Sequence, residues 1–363
     1  MLIETKRPCA GRCCALLKKL VLFAGCIFVI WVAFVNGRSA LDVKQTDSFS
    51  EQQAISDARS IFAGKHRFGI VEYCHFPNGP SYMLLAPLAL GYDSQAAFRF
   101  VPLGFSAVCI GMLFVGLALY SSSIIMMPLA LIAIVCLLRQ PGVLYWMGGL
   151  HEQSYALAIC FAAMGVSLIP RKLRYVLLTL GFIAGWIGYD MLIGFVFSVF
   201  TCRLLVHLRS ARSVKEAIQP SVIDTVCATL GALLAVVTHL IQNAFFFGSV
   251  NAAFKDLIGS AAARAGVESA ATMNNQYWEG LKFHLKDPAI ANMTRLDLVR
   301  AHLDVFLSTE WTDLSNVYVC CSVLGFVLCA ALLATIFLRK WSMEEIVRTA
   351  AIVLLAACGT ILA

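Results

Sequence analysis

The side chains able to do chemistry crowd into one stretch, Asp47 to Tyr82, which reads DSFSEQQAISDARSIFAGKHRFGIVEYCHFPNGPSY. Among its charged and ionisable groups are the carboxylates Asp47, Glu51 and Asp57, the cations Lys65 and Arg67, and the imidazoles of His66 and His75. A second, smaller set is the dipeptide His151-Glu152. A carboxylate can take a proton from an attacking hydroxyl, and cations can neutralise a departing anion such as a phosphate. These residue types therefore suit group transfer from a phosphorylated donor. Each also has a plainer reading. Glu51 could complete a capping box with Ser48, and Asp47 could simply precede the helix. Asp57 reads as a solvated face, and the cations could be interfacial anchors that snorkel.

The elements that would hold these groups are readable. Ala54, Ile55, Ala58, Ile61 and Phe62 recur at helical spacing. Ser48 or Ser50 can start that helix, with Glu51 or Gln53 three residues on, and Gly64 can end it. Glu51 shares the apolar face, whereas Asp57 falls opposite. His75-Phe-Pro-Asn-Gly-Pro80 predicts a rigid turn, since proline fixes φ and glycine permits positive φ. Tyr82 to Leu90 is apolar but too short to span a bilayer.

Composition sets the class. Of 363 residues, 60% are hydrophobic and 13% charged, roughly half the charged fraction of a soluble domain. Apolar runs of about 17 to 24 residues recur along the chain, so the expected fold is all-α: a polytopic helical membrane protein with about eight or nine transmembrane helices. Residues 1–363 read as a single transmembrane domain, with amphipathic juxtamembrane helices in an external loop. The net charge of +7 does not point to nucleic acid, because the cations flank apolar runs instead of forming one aromatic-studded basic face. The 14 cysteines include no CxxC pair, and most lie within apolar runs as small apolar side chains. The first run, roughly Leu20 to Val35, reads as a retained anchor, since Val35-Asn36-Gly37 is a poor cleavage site.

Charge bias orders the spans. Lys6, Arg7, Arg12, Lys18 and Lys19 precede the first run and predict a cytoplasmic N-terminus. Residues 36–95, 139–154 and 248–316 are then external loops, the first holding the candidate reactive groups. Arg171, Lys172, Arg174 and the stretch from Arg203 to Pro220 read as cytoplasmic. Between them, Tyr175 to Cys202 is short for two spans and long for one. It reads as a hairpin turning near Gly185 to Asp190, with a single tilted span as the alternative. His239, Gln242 and Asn243 read as partners in hydrogen bonds between helices. The expected location is a multi-pass integral membrane protein, in the inner or plasma membrane if bacterial.

A first span is followed by an external carboxylate-bearing helix, Ser50-Glu51 through Ala58-Arg59 to Gly64. The turn His75-Phe-Pro77-Asn-Gly-Pro80-Ser-Tyr82 comes next, and later His151-Glu152-Gln-Ser-Tyr155-Ala-Leu157. That order resembles the GT-C membrane glycosyltransferases, in the branch of protein O-mannosyltransferases and lipid A aminoarabinose transferases. The likeness covers roughly residues 15 to 210. Ser50-Glu51 stands where that branch has Asp-Glu, and Asn78-Gly79 displaces the second proline of its turn. The resemblance implies sugar transfer from a polyprenyl-phosphate-linked donor to an acceptor hydroxyl, at the extracytoplasmic face. It implies Glu51, then Asp47, as base, with Glu152 as a further catalytic or positioning carboxylate. Lys65, Arg67, His75 and His151 would bind the donor phosphate. No cofactor is fixed by it, although a divalent cation is compatible with such a site. The partners implied are a lipid-linked sugar, the bilayer and an acceptor whose identity stays open. Two other classes compete: a transporter or flippase, and a non-catalytic relative acting as a membrane subunit.

Overall fold

A computed structural model describes residues 9–38, 41, 48–65, 77, 79–120, 126–138, 141–189 and 192–264. Among them every regular element is an α-helix. In chain order these are α1 (Cys9–Gly37), α2 (Ser48–Phe62), α3 (Gly79–Met83), α4 (Leu85–Ala89), α5 (Gln95–Tyr120) and α6 (Met126–Leu138). Then come α7 (Pro141–Met147), α8 (Glu152–Leu168), α9 (Arg174–Ile187), α10 (Leu192–Leu208), α11 (Val214–Phe247) and α12 (Val250–Arg264).

Three described helices are long and apolar enough to cross a membrane: Lys18–Gly37, Gln95–Tyr120 and Val214–Phe247. Three shorter apolar helices, α8, α9 and α10, pack among them. At 14 to 17 residues each they run roughly 21–26 Å, a little less than a hydrocarbon core of about 30 Å. The runs expected to span within 317–363 lie outside the described residues.

Close backbone contacts fix the direction of each helix. Gly25 of α1 lies against Phe114 and Gly37 against Leu103, so α1 is antiparallel to α5. Phe105 meets Tyr155, and Gly116 meets Gly165, so α5 and α8 run parallel. Gly181 and Gly185 of α9 lie on Ala228 and Ala232 of α11, so this pair is parallel too. The bundle thus has two ends. One gathers Gly37, α2, the start of α5, the start of α8 and the α9–α10 turn. The other gathers the start of α1, the end of α8, and the joints α8–α9 and α10–α11. Lys18, Arg171, Lys172, Arg174, Arg209 and Arg212 belong to the second end, which is the grouping that charge bias predicts.

The stretch 174–208 folds as the expected hairpin of two short helices rather than as one tilted span. Two boundaries depart from expectation. Arg203, expected in a cytoplasmic loop, is inside α10 and 1% exposed. α11 begins at Val214, eight residues before the apolar run. The cause is a cap: Ser213 Oγ accepts from Glu216 N at 3.3 Å, and Glu216 Oε2 accepts from Arg212 N at 2.8 Å. Pro220, read as the end of a loop, sits in the second turn of α11.

Helix α2 lies across the first end as predicted. Glu51, Ile55 and Ala58 are buried on one face, and Gln52 and Ser56 are exposed. The helix ends at Gly64, whose φ of +67° suits glycine. Gly64 N donates to Ile61 O, and Lys65 N donates to Ser60 O, which is a complete Schellman motif. Ile55 and Ala58 pack with Leu84, Leu88, Phe98 and Leu150 into a small apolar cluster beneath α2. Below it, contacts between small residues let the helix backbones approach, as association in lipid requires.

This packing makes a prediction. An ideal Cβ on Gly231 would lie 1.9 Å from Leu178 O, so α9 and α11 would have to separate. Gly231→Val should cost at least about 1–3 kcal/mol. Gly104, with nothing within 4 Å of its ideal Cβ, should accept alanine at no loss or with a small gain. Thermal unfolding in detergent reads both. Equal melting temperatures for the two variants would contradict the parallel α9–α11 contact.

Candidate functional site

The first end of the bundle collects the sequence-predicted groups that the structure describes. Glu51 is in the first turn of α2 and 2% exposed. Its Oε1 accepts from Arg99 Nε at 2.7 Å, and its Oε2 from Arg99 Nη2 at 3.0 Å. Gln95 Nε2 donates to Oε2 at 2.9 Å. Arg99 also donates through Nη1 to Leu41 O at 2.5 Å. The pair is therefore a bidentate, nearly dry clamp between α2 and the first turn of α5, and it also holds the segment after α1. Three of the roughly four acceptor positions of the Glu51 carboxylate are already in use. Glu51 thus already has a structural task, balancing the buried guanidinium of Arg99.

A neighbouring pair shows the contrast. Arg59 and Asp93 meet at 2.8 Å with about half of each side chain exposed. Such a surface pair contributes roughly 0.2–1 kcal/mol. It ties the end of α2 to the residue run before α5, helped by Arg59 over the Phe98 ring at 5.9 Å.

Glu152 is held differently. It opens α8, at the positive end of the helix dipole, and is partly exposed. An ideal Cβ on Gly188, in the α9–α10 turn, would be 3.5 Å from its Cγ. His151 Nδ1 lies 3.4 Å from Glu152 Oε2 and 3.2 Å from Gln153 N. These two contacts are alternatives. Accepting from Gln153 N uses the Nδ1 lone pair and leaves the proton on Nε2, whereas an ion pair with Glu152 needs a proton on Nδ1. The contact with Gln153 N is the shorter and caps the start of α8. Trp146 sits beside the ring, with centroids 5.7 Å apart.

Between these groups run aromatic contacts. Gly79, at the start of α3, packs on the Trp186 backbone, and Tyr82 lies 6.1 Å from the Trp186 ring. Phe182 stacks on Trp186 at 5.9 Å. One turn further, the Tyr189 hydroxyl bonds His239 Nδ1 of α11. Thus the first loop, the second loop and the α9–α10 turn share one end of the molecule. Lys65 is exposed at the end of α2. Asp47, Arg67 and His75 lie outside the described residues, as do Cys74 and Asp190. The described residues contain no group of three or more His, Cys, Asp or Glu side chains that could hold a metal ion.

A second charge cluster occupies the opposite end. Asp224 of α11 accepts from Arg174 Nε at 3.0 Å and from Arg203 Nε at 2.7 Å. Arg203 Nη1 donates to Ser167 O and Ile169 O at 3.1 and 3.0 Å, satisfying carbonyls where α8 ends. His207 Nε2 is 3.0 Å from Asp224 Oδ2 and 3.3 Å from Arg203 Nη2. Only one of these is a hydrogen bond for a given proton position, and the shorter contact has Nε2–H donating to Asp224. The cluster locks α8, α9, α10 and α11 together and leaves little of the carboxylate for a ligand.

Reading the residues singly missed Arg99, Gln95, Arg203 and Asp224 as partners. The signal was present: a charge inside an apolar helix requires a counter-charge, and Glu51 faces inward from α2. No protein-family model, no curated protein and no solved structure matches this chain. Function therefore has to be argued from the site.

The clamp predicts a distinctive pattern. Glu51→Gln leaves Arg99 buried without a counter-charge and should destabilise by about 3–5 kcal/mol. Glu51→Leu combined with Arg99→Met should recover most of that loss, because neither charge is then buried. Thermal unfolding of the three proteins in nanodiscs tests it. A Gln variant as stable as the parent would show that the pair does not anchor α2.

Proposed function

We propose that this chain is a membrane glycosyltransferase of the GT-C type. It would transfer a sugar from a polyprenyl-phosphate-linked donor to an acceptor hydroxyl at the bilayer edge. The observation that carries the reading is the meeting of two distant loops. The α2 to α4 region and the His151-Glu152 turn, about a hundred residues apart, pack through Ile55, Ala58, Leu84, Leu88 and Leu150. The resemblance draws its motifs from these same two loops.

The reading gives the two carboxylates different roles. Glu152 is taken as the base in this reading, because it opens α8 beside His151 and the α9–α10 turn at the end where the two loops meet. Glu51, fixed by Arg99 and Gln95, frames the site. Asp47 remains a second candidate base. Lys65, Arg67, His75 and His151 would face the donor phosphate. In the reaction the acceptor oxygen attacks the anomeric carbon while its proton passes to the carboxylate. The anomeric carbon–oxygen bond breaks, and the electron pair leaves with the lipid phosphate, whose charge the cations offset. In this reading the N-terminus is cytoplasmic, the Glu51 end is extracytoplasmic, and the full chain crosses eight or nine times.

A transporter is less well supported. Its polar groups would sit at mid-membrane on broken helices, whereas α5, α8 and α11 run unbroken with their charges near the bundle ends. One observation favours a non-catalytic relative: the carboxylate in the expected base position is consumed by a structural ion pair.

Transfer from a radiolabelled lipid donor in membranes decides between these. Glu152→Gln should insert normally and lose about two to four orders of magnitude in turnover. Asp47→Asn serves as the parallel variant. Near-normal transfer in both would remove the proposed base. No transfer by the parent with any lipid-linked sugar would favour the non-catalytic reading. Orientation has a separate test. A membrane-impermeant thiol reagent should reach a single cysteine at position 65 but not at 172 or 212 in intact cells, and the opposite labelling would invert the topology.

A further inference from the structure

Helix α12 is inside out for a helix in water. Among positions 250–258, the buried ones are Ala253 and Asp256, at 0% and 7% exposure. Of its large apolar side chains within 250–258, Leu257 is partly buried, whereas Val250, Phe254 and Ile258 are 67%, 49% and 51% exposed. Spaced four residues apart, these three form one stripe along the helix. A helix at a protein–water boundary does the reverse, burying the phenylalanine and solvating the aspartate.

The partner of α12 explains the buried side. Among the described helices α12 packs on α11, which it follows after a turn at Gly248 with φ of +66°. The upper part of α11 carries His239, Gln242 and Asn243, all buried on one face. Polar side chains on a spanning helix are costly when they face hydrocarbon. Packing on α11 leaves Asp256 of α12 buried as well.

The outer side then needs an apolar surrounding. α11 likewise carries exposed apolar side chains, among them Leu234, Val237, Ile241 and Phe245. Along the stripe's edge lie exposed Asn251 and Lys255, placed where a lysine stem can reach to headgroup phosphates. At 34 residues, about 50 Å, α11 is longer than the hydrocarbon core, so it has room to carry a second helix against its upper part.

We propose that α12 is immersed in the bilayer edge, with Val250, Phe254 and Ile258 in contact with lipid acyl chains and Asn251 and Lys255 among the headgroups. The 248–316 region thus begins with a membrane-immersed helix rather than a water-exposed polar loop. The inference does not depend on the glycosyltransferase reading.

The test uses the full chain in nanodiscs, with a nitroxide label placed in turn at positions 250, 251, 254, 255 and 258. Labels at 250, 254 and 258 should collide with oxygen more than with a water-soluble nickel chelate, and labels at 251 and 255 should shift toward the chelate. Chelate collisions dominating at all five positions would put the stripe in water and overturn the proposal. Protection from both reagents at 254 and 258 would mean that a later segment of this chain, or another protein, covers the stripe, which overturns it equally. A second measurement needs no substitution. A phospholipid with a diazirine on its acyl chain should label the native protein within residues 250–258. No adduct there, alongside adducts on α1 and α11, would reject lipid contact.

Discussion

A charge on a helix inside this bundle has to be matched within a few ångströms, and two such matches organise the structure. Glu51 with Arg99 closes one end. Asp224 with Arg203 and Arg174 closes the other. Neither cluster is a source of large net stability, because removing ions from water costs about as much as their attraction returns. Their effect is on geometry. A misplaced α2 would strand Arg99 in a dry site, and a shifted α10 would strand Arg203. Both registers are therefore set by the penalty for the wrong arrangement. The Arg59–Asp93 contact, half in solvent, exerts no comparable constraint.

Between the two ends the chain depends on close backbone approach. Gly116 against Gly165, and Gly181 and Gly231 against Ala228 and Leu178, remove side chains where helices cross. In lipid no hydrophobic force draws apolar helices together, so contact area and small residues have to do so. These contacts join α5 to α8 and α9 to α11 as parallel pairs. Parallel pairing obliges the chain to return between them, through α6 and α7 in one case and α10 in the other. The same topology brings the α2–α4 region, the start of α8 and the α9–α10 turn to one end, which gathers the candidate reactive groups.

What could be read in advance followed local rules. The buried face of α2 came from a helical repeat of Ala54, Ile55, Ala58, Ile61 and Phe62, of which Phe62, in the last turn, is 55% exposed instead, and its end came from a glycine that adopts positive φ without strain. The hairpin within 174–208 came from counting residues between two cationic stretches. The three long apolar helices came from length and composition. Pairings between distant residues were not legible. Glu51 looked like a cap or a base because nothing nearby in the chain shows that Arg99 is its partner. Arg203 looked like a loop cation because charge next to an apolar run usually is one, and only the fold reveals the carbonyls of α8 waiting for it. The outward stripe of α12 was missed for a related reason. A polar average over 248–316 hides a short segment whose exposed face is apolar.

The two carboxylates at the first end show why burial and reactivity separate. A base needs an open lone pair and a path for the proton it accepts. The environment of Glu51 is ideal for a fixed charge: dry, bidentate and braced by a third donor from Gln95. Glu152 stands at a helix start beside a glycine-lined turn, with an imidazole that can hold its proton on either nitrogen. Gly188 leaves space against its stem that a larger residue would fill, since an added Cβ already makes ordinary contact there. Both carboxylates stand at this end, one locked into the clamp and one at the start of α8 beside Gly188. The rigid pair supplies what such a site needs around it, namely α2, the Leu41 segment and the first turn of α5 held at one depth.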